Sequence, residues 1–150
     1  MKRRQLILVI DDDEEMLKML TRVLEIEGYG VATTADGREA LALLDILEQR
    51  GLSLVILDIM MPQLDGFQVL SLIRQRSSIP IVMLTAKCEV SCLRQAMAEG
   101  ADDYVKKPFS TRELVARVRA KLRRAKPGDA FCPSIKSLRG CANTTSFNSQ

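Results

Sequence analysis

Five short apolar runs alternate with five helix-patterned segments, and this alternation constrains the fold more than any other feature of the chain. Leu54-Val55-Ile56-Leu57 is the clearest run: four apolar residues with no polar interruption, followed at once by Asp58 and a Pro62-to-Gly66 turn. A continuous apolar run of this length reads as a strand buried on both faces, the pattern of a parallel sheet. Leu6 to Ile10 repeats it and runs into Asp11-Asp12-Asp13; Pro80 to Leu84 repeats it and ends in Thr85-Ala86-Lys87. Tyr29 to Thr34 is a more polar strand suited to a position nearer an edge. Asp102 to Val105 is a short fifth strand leading into Lys106-Lys107-Pro108-Phe109.

Between the strands, apolar residues recur at helical spacing. Met16, Leu17, Leu20, Val23 and Leu24 form the first stripe, with Gly28 beyond it. Ala40, Leu41, Leu43, Leu44 and Leu47 form the second, which ends near Gly51. Phe67, Val69, Leu70 and Ile73 form the third. Val90, Leu93, Ala96 and Met97 make the fourth, which stops at Gly100. Leu114, Val115, Val118 and Leu122 make the fifth, opened by Ser110 with Glu113 three residues on, a capping-box pattern. Asp13, Glu14 and Glu15 suit the positive end of the first helix. Strands alternating with helices require a parallel α/β sheet with right-handed crossovers and helices on both faces. All strands then finish on one edge, so Asp11, Asp12, Asp58, Thr85 and Lys107 are expected to emerge on a single rim, where open α/β proteins bind ligands.

Composition narrows the chemistry. With 150 residues the chain is long enough for one core, and no apolar stretch is long enough to span a bilayer or to serve as a signal-peptide core. A cytoplasmic protein with reduced thiols is expected. The absence of histidine removes the usual general base and any His-based triad. Cys88, Cys92, Cys132 and Cys141 lack the spacing of a zinc ribbon, and Cys88 and Cys92 read as small filler residues on one helix face. Residues 1–111 carry 13 basic against 17 acidic side chains, and residues 112–150 carry nine against two. The body is mildly acidic, and the basic end reads chiefly as a solvated helix face.

Carboxylates brought together repel unless a proton or cation relieves them. Hard oxygen ligands suit magnesium, which takes one or two carboxylates together with phosphate oxygens. A lysine supplies a mobile charge for a phosphoryl oxygen, and Thr85 supplies a hydroxyl. An acid pair, a lone carboxylate, a hydroxyl and a lysine suffice to hold a phosphoryl group on an aspartate, which needs no histidine base because it is already ionised.

The sequence resembles the receiver domains of two-component response regulators over roughly residues 5–124. The resemblance is carried in order by Val9-Ile10-Asp11-Asp12-Asp13, Leu57-Asp58-Ile59-Met60-Met61-Pro62 with Asp65-Gly66, Met83-Leu84-Thr85-Ala86, and Gly100-Ala101-Asp102-Asp103-Tyr104 leading to Lys107-Pro108-Phe109. It implies a flavodoxin-like sheet of five parallel strands in the order 2-1-3-4-5. It implies that Asp58 accepts a phosphoryl group from a phosphohistidine on a sensor histidine kinase. Asp11 and Asp12 would hold Mg2+, with Asp12, Asp58 and the Met60 backbone carbonyl as direct ligands. Lys107 would pair with the phosphoryl oxygens, its bond to Pro108 being cis. Thr85 would move to hydrogen-bond the phosphoryl group and Tyr104 would turn inward, coupling the site to the face formed by the fourth helix, fifth strand and fifth helix.

The last helix resembles that of receivers fused to winged-helix DNA-binding domains, which pair through that face; Asp103, Glu113, Arg117 and Arg119 are the candidates for cross-subunit salt bridges here. Leu93 stands where a basic residue is frequent in that subfamily, and Lys106 replaces a usually uncharged one. Residues 1–124 are expected to form the receiver and residues 125–150 a tail or linker, too short to contain a DNA-binding domain. Three outputs follow: phosphorylation-driven homodimerisation with control of transcription, a stand-alone receiver that binds a protein target, or an aspartate-nucleophile phosphatase. The last would want a second carboxylate two residues beyond the nucleophile, where Met60 stands. Met60, which offers no hydrogen bond to orient a water, and Lys87, which lies over the same approach, also predict slow self-dephosphorylation.

Overall fold

In the computed structural model, residues 4–62, 64–86 and 90–124 are described. They form β1 (Leu6–Ile10), α1 (Glu14–Ile26), β2 (Gly30–Thr34), α2 (Gly37–Gln49), β3 (Leu52–Asp58), α3 (Gly66–Arg74), β4 (Ile81–Thr85), α4 (Val90–Ala98), β5 (Asp103–Lys106) and α5 (Thr111–Arg124). Every strand pair is parallel, and the order is β2-β1-β3-β4-β5. The order reverses between β1 and β3. Right-handed crossovers therefore place α1 on one face and α2, α3 and α4 on the other.

The inner strands are buried on both sides, as their unbroken apolar runs require. Leu8 and Ile10 of β1, Val55 and Leu57 of β3, and Ile81 and Met83 of β4 form one core with Ala40, Leu44, Val69, Leu70 and Ile73. Their alternate neighbours Ile7, Val9, Leu54, Ile56, Val82 and Leu84 are equally inaccessible, as the two-residue period of a strand dictates. The more polar β2 is an edge strand, in line with its sequence. The helix starts follow local chemistry. Asp13 caps α1 by accepting from the Glu15 and Met16 N–H groups, and Asp65 and Gln68 close a reciprocal capping box on α3. At α5 the Ser110 hydroxyl accepts from the Glu113 N–H at 3.4 Å, while the Glu113 carboxylate turns to Arg117.

Two details differ from expectation. β5 begins at Asp103, because the Asp102 carboxylate leaves the strand to accept from the Ile81 N–H and Arg74. Met97 is 48% exposed, so the buried stripe of α4 is narrower than its spacing suggested. Cys88, read as lying on that helix, falls outside the described residues, as do Lys87 and the expected tail 125–150. By compactness the chain divides into residues 1–118 and 119–150, and of the second unit only the last turns of α5 are described. No helix among the described residues is long and apolar enough to cross a membrane.

Candidate functional site

The carboxyl edge of the sheet gathers the polar residues that the strand order predicts. Asp58 is the last residue of β3 and lies opposite Leu84, while Thr85 closes β4 opposite Lys106. Asp11, Asp58 and Thr85 are all at most 4% exposed, whereas Asp12 is exposed. One carboxylate oxygen from each of Asp11, Asp12 and Asp58 falls within 4.8 Å of the others. Lys107 reaches back over this cluster: its Nζ donates to Asp11 Oδ2 at 3.0 Å and stands 3.4 Å from Asp58 Oδ1. The Lys107 N–H donates to the Thr85 carbonyl at 2.6 Å, which anchors the turn that delivers the lysine. The peptide bond from Lys107 to Pro108 is cis.

Each acid is positioned by its own strand end. Asp11 Oδ1 accepts from the Asp13 N–H at 2.9 Å, leaving Oδ2 for Lys107. Asp58 Oδ1 accepts from the Met60 N–H at 3.4 Å. The chain can turn back there because the Ile59 carbonyl is taken by the Gly66 N–H at 2.9 Å. Burial, reinforced by the charge of Asp11, pushes the Asp58 carboxyl up to about 6, against the opposing pull of Lys107 and the Met60 N–H. Burial works against the Lys107 ammonium, but its hydrogen bond to Asp11 and the charges of Asp58 and Asp11 outweigh it and hold Lys107 above its ordinary value. One lysine does not balance three carboxylates. The excess negative charge, presented entirely through hard oxygens, fits a divalent cation of the magnesium type and not a soft or nitrogen-seeking metal.

Beside the acids, a cavity of about 490 Å³ opens between the β3–α3 loop and α4, lined by Asp12, Met60, Met61, Pro62, Phe67 and Cys92 among others. Cys92 is half-buried on this wall, a place its spacing from Cys88 did not indicate. The Met60 side chain is 50% exposed at the mouth. Tyr104 lies on β5 opposite Met83, half-buried against the core.

Three of the four residues expected on a pairing face form one network within the chain. Arg117 Nη1 donates to both Asp103 oxygens, at 2.8 and 3.0 Å, and its Nε donates to Glu113 at 3.3 Å, so these three are satisfied within one chain. Arg119 is an exposed residue of α5. Sequence reasoning missed Arg74, which binds the Gly100, Ser77 and Ile79 carbonyls and Asp102. It also passed over the Asp65-x-x-Gln68 signature that caps α3, which was present to be read.

A doubly wound sheet with an acid cluster and a lysine on its carboxyl rim defines a class of phosphoryl-handling α/β proteins. Comparison with known proteins places the chain within it. Residues 7–119 match the model of the response regulator receiver domain, and the chain belongs to that family. It is 49% identical over 132 residues to the DNA-binding response regulator MtrA of Mycolicibacterium smegmatis, an alignment covering 88% of this chain and 57% of the relative. It is 47% identical over 122 residues to the probable transcriptional regulator ycf27 of Porphyridium aerugineum, covering 81% and 50%. The chain thus spans about half the length of these curated relatives. Among solved structures, the receiver domain of the Francisella response regulator 1452 superposes with a TM-score of 0.76 at 32% identity, covering 82% of this chain and 100% of that one. A CheY-like receiver domain protein from Methanospirillum hungatei gives 0.74 at 29% identity, covering 81% and 96%.

Proposed function

We propose that Asp58 is the phosphoacceptor of this receiver. The convergence of Asp11, Asp12, Asp58 and Lys107 on one rim carries the reading. A carboxylate oxygen of Asp58 forms a bond to phosphorus as the bond to a kinase histidine nitrogen breaks, and the imidazole leaves with a proton from solvent. Asp12, Asp58 and the Met60 carbonyl would ligate Mg2+, with Asp11 supporting the site; the ion supplies charge neutralisation to the phosphoryl oxygens. Lys107, already drawn toward Asp58, neutralises a phosphoryl oxygen, and the Thr85 hydroxyl hydrogen-bonds the group once it arrives. Catalysis is confined to the chain's own phosphorylation and dephosphorylation. Met60 in place of a second carboxylate argues against a phosphatase.

For output, we take residues 1–124 as the receiver of a longer DNA-binding regulator, with residues 125–150 leading onward. The names of the relatives support this, and the site of action would be the cytoplasm. Phosphorylation would favour homodimers through α4, β5 and α5, with Thr85 and Tyr104 relaying the change. Pairing there exchanges internal partners of Asp103, Glu113 and Arg117 for external ones. The primary test is intact-mass detection of a phosphoryl group from acetyl phosphate and Mg2+. Wild type is expected to gain one group and Asp58→Asn none; incorporation surviving in Asp58→Asn overturns the assignment. Gel filtration with beryllofluoride tests output: a Mg2+-dependent dimer is expected, whereas a persistent monomer favours a stand-alone receiver that binds a protein target.

A further inference from the structure

Gly66 is buried at the first position of α3, directly behind the strand end that carries Asp58. A Cβ built at Gly66 would overlap the Asp58 carbonyl oxygen, lie 2.6 Å from Ile59 Cα and lie 3.0 Å from the Asp58 carbonyl carbon. All three are backbone atoms, so no rotamer change relieves the contact. Neither side has room to withdraw. Asp58 is paired with Leu84, and the Ile59 N–H donates to the Leu84 carbonyl at 3.0 Å. The helix is held by the Asp65–Gln68 capping box and by Val69, Leu70 and Ile73 in the core. Gly66 is not among the glycines with a left-handed backbone, so the requirement at this position is for space.

We infer that Gly66 is a positioning residue for the phosphoacceptor: its missing side chain lets α3 dock against the Asp58–Ile59 peptide and so sets where the Asp58 carboxylate stands. The same contact brings the Gly66 N–H to the Ile59 carbonyl and leaves the Met60 N–H aimed at Asp58 Oδ1. Gly28 provides the control: its φ of +95 strains any side chain placed there, but a Cβ meets nothing within 4 Å, so a substitution costs stability without touching α3 or the acids.

The inference rests on Asp58 being the acceptor, and the test separates the two. Gly66→Ala, Gly28→Ala and Asp58→Asn are compared with wild type by calorimetric Mg2+ titration, by ¹⁹F NMR of the beryllofluoride adduct and by the rate of phosphorylation from acetyl phosphate, with folded fractions matched by circular dichroism. Displacing a reacting group by about 1 Å costs on the order of 100-fold in rate. Gly66→Ala is therefore expected to phosphorylate roughly 10- to 100-fold more slowly, to bind Mg2+ more weakly and to shift the ¹⁹F resonances. Gly28→Ala should lose stability and keep wild-type values of all three. An unchanged Mg2+ Kd and rate in folded Gly66→Ala, or equal losses in Gly28→Ala, would overturn the inference. Phosphorylation of Asp58→Asn would overturn the acceptor assignment instead. If Gly66→Ala does not fold, Gln68→Ala carries the test by opening one half of the capping box. Weakened Mg2+ binding then supports the inference, and unchanged binding refutes it.

Discussion

Where β4 and β5 begin, Arg74 and Asp102 meet; where they end, Asp58 and Lys107 do. At the first edge the Arg74–Asp102 pair is answered by protein groups alone. Arg74 Nε donates to the Gly100 carbonyl, Nη1 to the Ser77 and Ile79 carbonyls, and Nη2 to Asp102 at 2.8 Å, while the same Asp102 oxygen accepts from the Ile81 N–H. At the other edge three carboxylates gather with one lysine, which pairs with Asp11 and Asp58, and burial lifts the Asp58 carboxyl to about 6. Both edges contain a partly buried ion pair, yet only one is complete without a further ligand. A matched charge cluster holds elements in register, whereas an unmatched one stores repulsion that a cation and a phosphoryl group can relieve.

The largest effect on stability is expected at the matched edge. Arg74→Ala strands three carbonyls and a carboxylate and should destabilise the fold by about 3–5 kcal/mol in urea unfolding. Mg2+ affinity, measured where the variant is folded, should not change; a weakened affinity would show that the two edges are coupled.

The unmatched edge should answer to pH. The folded state raises the Asp58 pKa above its unfolded value, so it binds that proton more tightly than the unfolded chain does. The associated stability is fully present below about pH 4 and is lost as pH rises through about 6. In EDTA, Asp58→Asn should therefore exceed wild type in stability by about 3 kcal/mol at pH 8, with the difference vanishing toward pH 4. A constant difference across that range would contradict the assigned cause.

Two smaller effects sharpen the contrast. Arg117→Ala removes a surface ion pair with Asp103 and should cost less than about 1 kcal/mol. Its effect should instead appear in gel filtration of the beryllofluoride-treated protein, as a shifted monomer–dimer balance. Met60→Asn should change stability by less than about 0.5 kcal/mol, because the side chain is half exposed. It should shorten the lifetime of phosphorylated Asp58 by offering a hydrogen bond to an attacking water. An unchanged decay, followed by intact mass, would remove Met60 from the account.

The two edges also differ in how far they could be read from the chain. The acids and Lys107 were legible because each follows an apolar strand, and parallel topology delivers every strand end to one rim. No local signal marks the Arg74 clamp. Its partners Gly100 and Asp102 lie 26 and 28 residues away, and most of its acceptors are backbone carbonyls, which carry no residue identity. Asp102 was assigned to β5 because its side-chain role depends on Ile81, a residue of another strand. Met97 fits the helical stripe of α4 yet faces solvent, since spacing specifies a face and not its width. Asp65-Gly66 was read as a turn, and the need for a glycine there appears only once α3 is docked on β3.

The carboxyl edge carries more negative charge than Lys107 balances, and on the proposed function a divalent cation completes it. Unfolding free energy as a function of Mg2+ concentration at pH 8, for wild type and Asp58→Asn, tests it most directly. Wild-type stability should climb with Mg2+ by about 1.4 kcal/mol per decade once the Kd is passed. Asp58→Asn should start higher in EDTA and climb far less. A wild-type stability that ignores Mg2+, or an Asp58→Asn curve as steep as wild type, would contradict it.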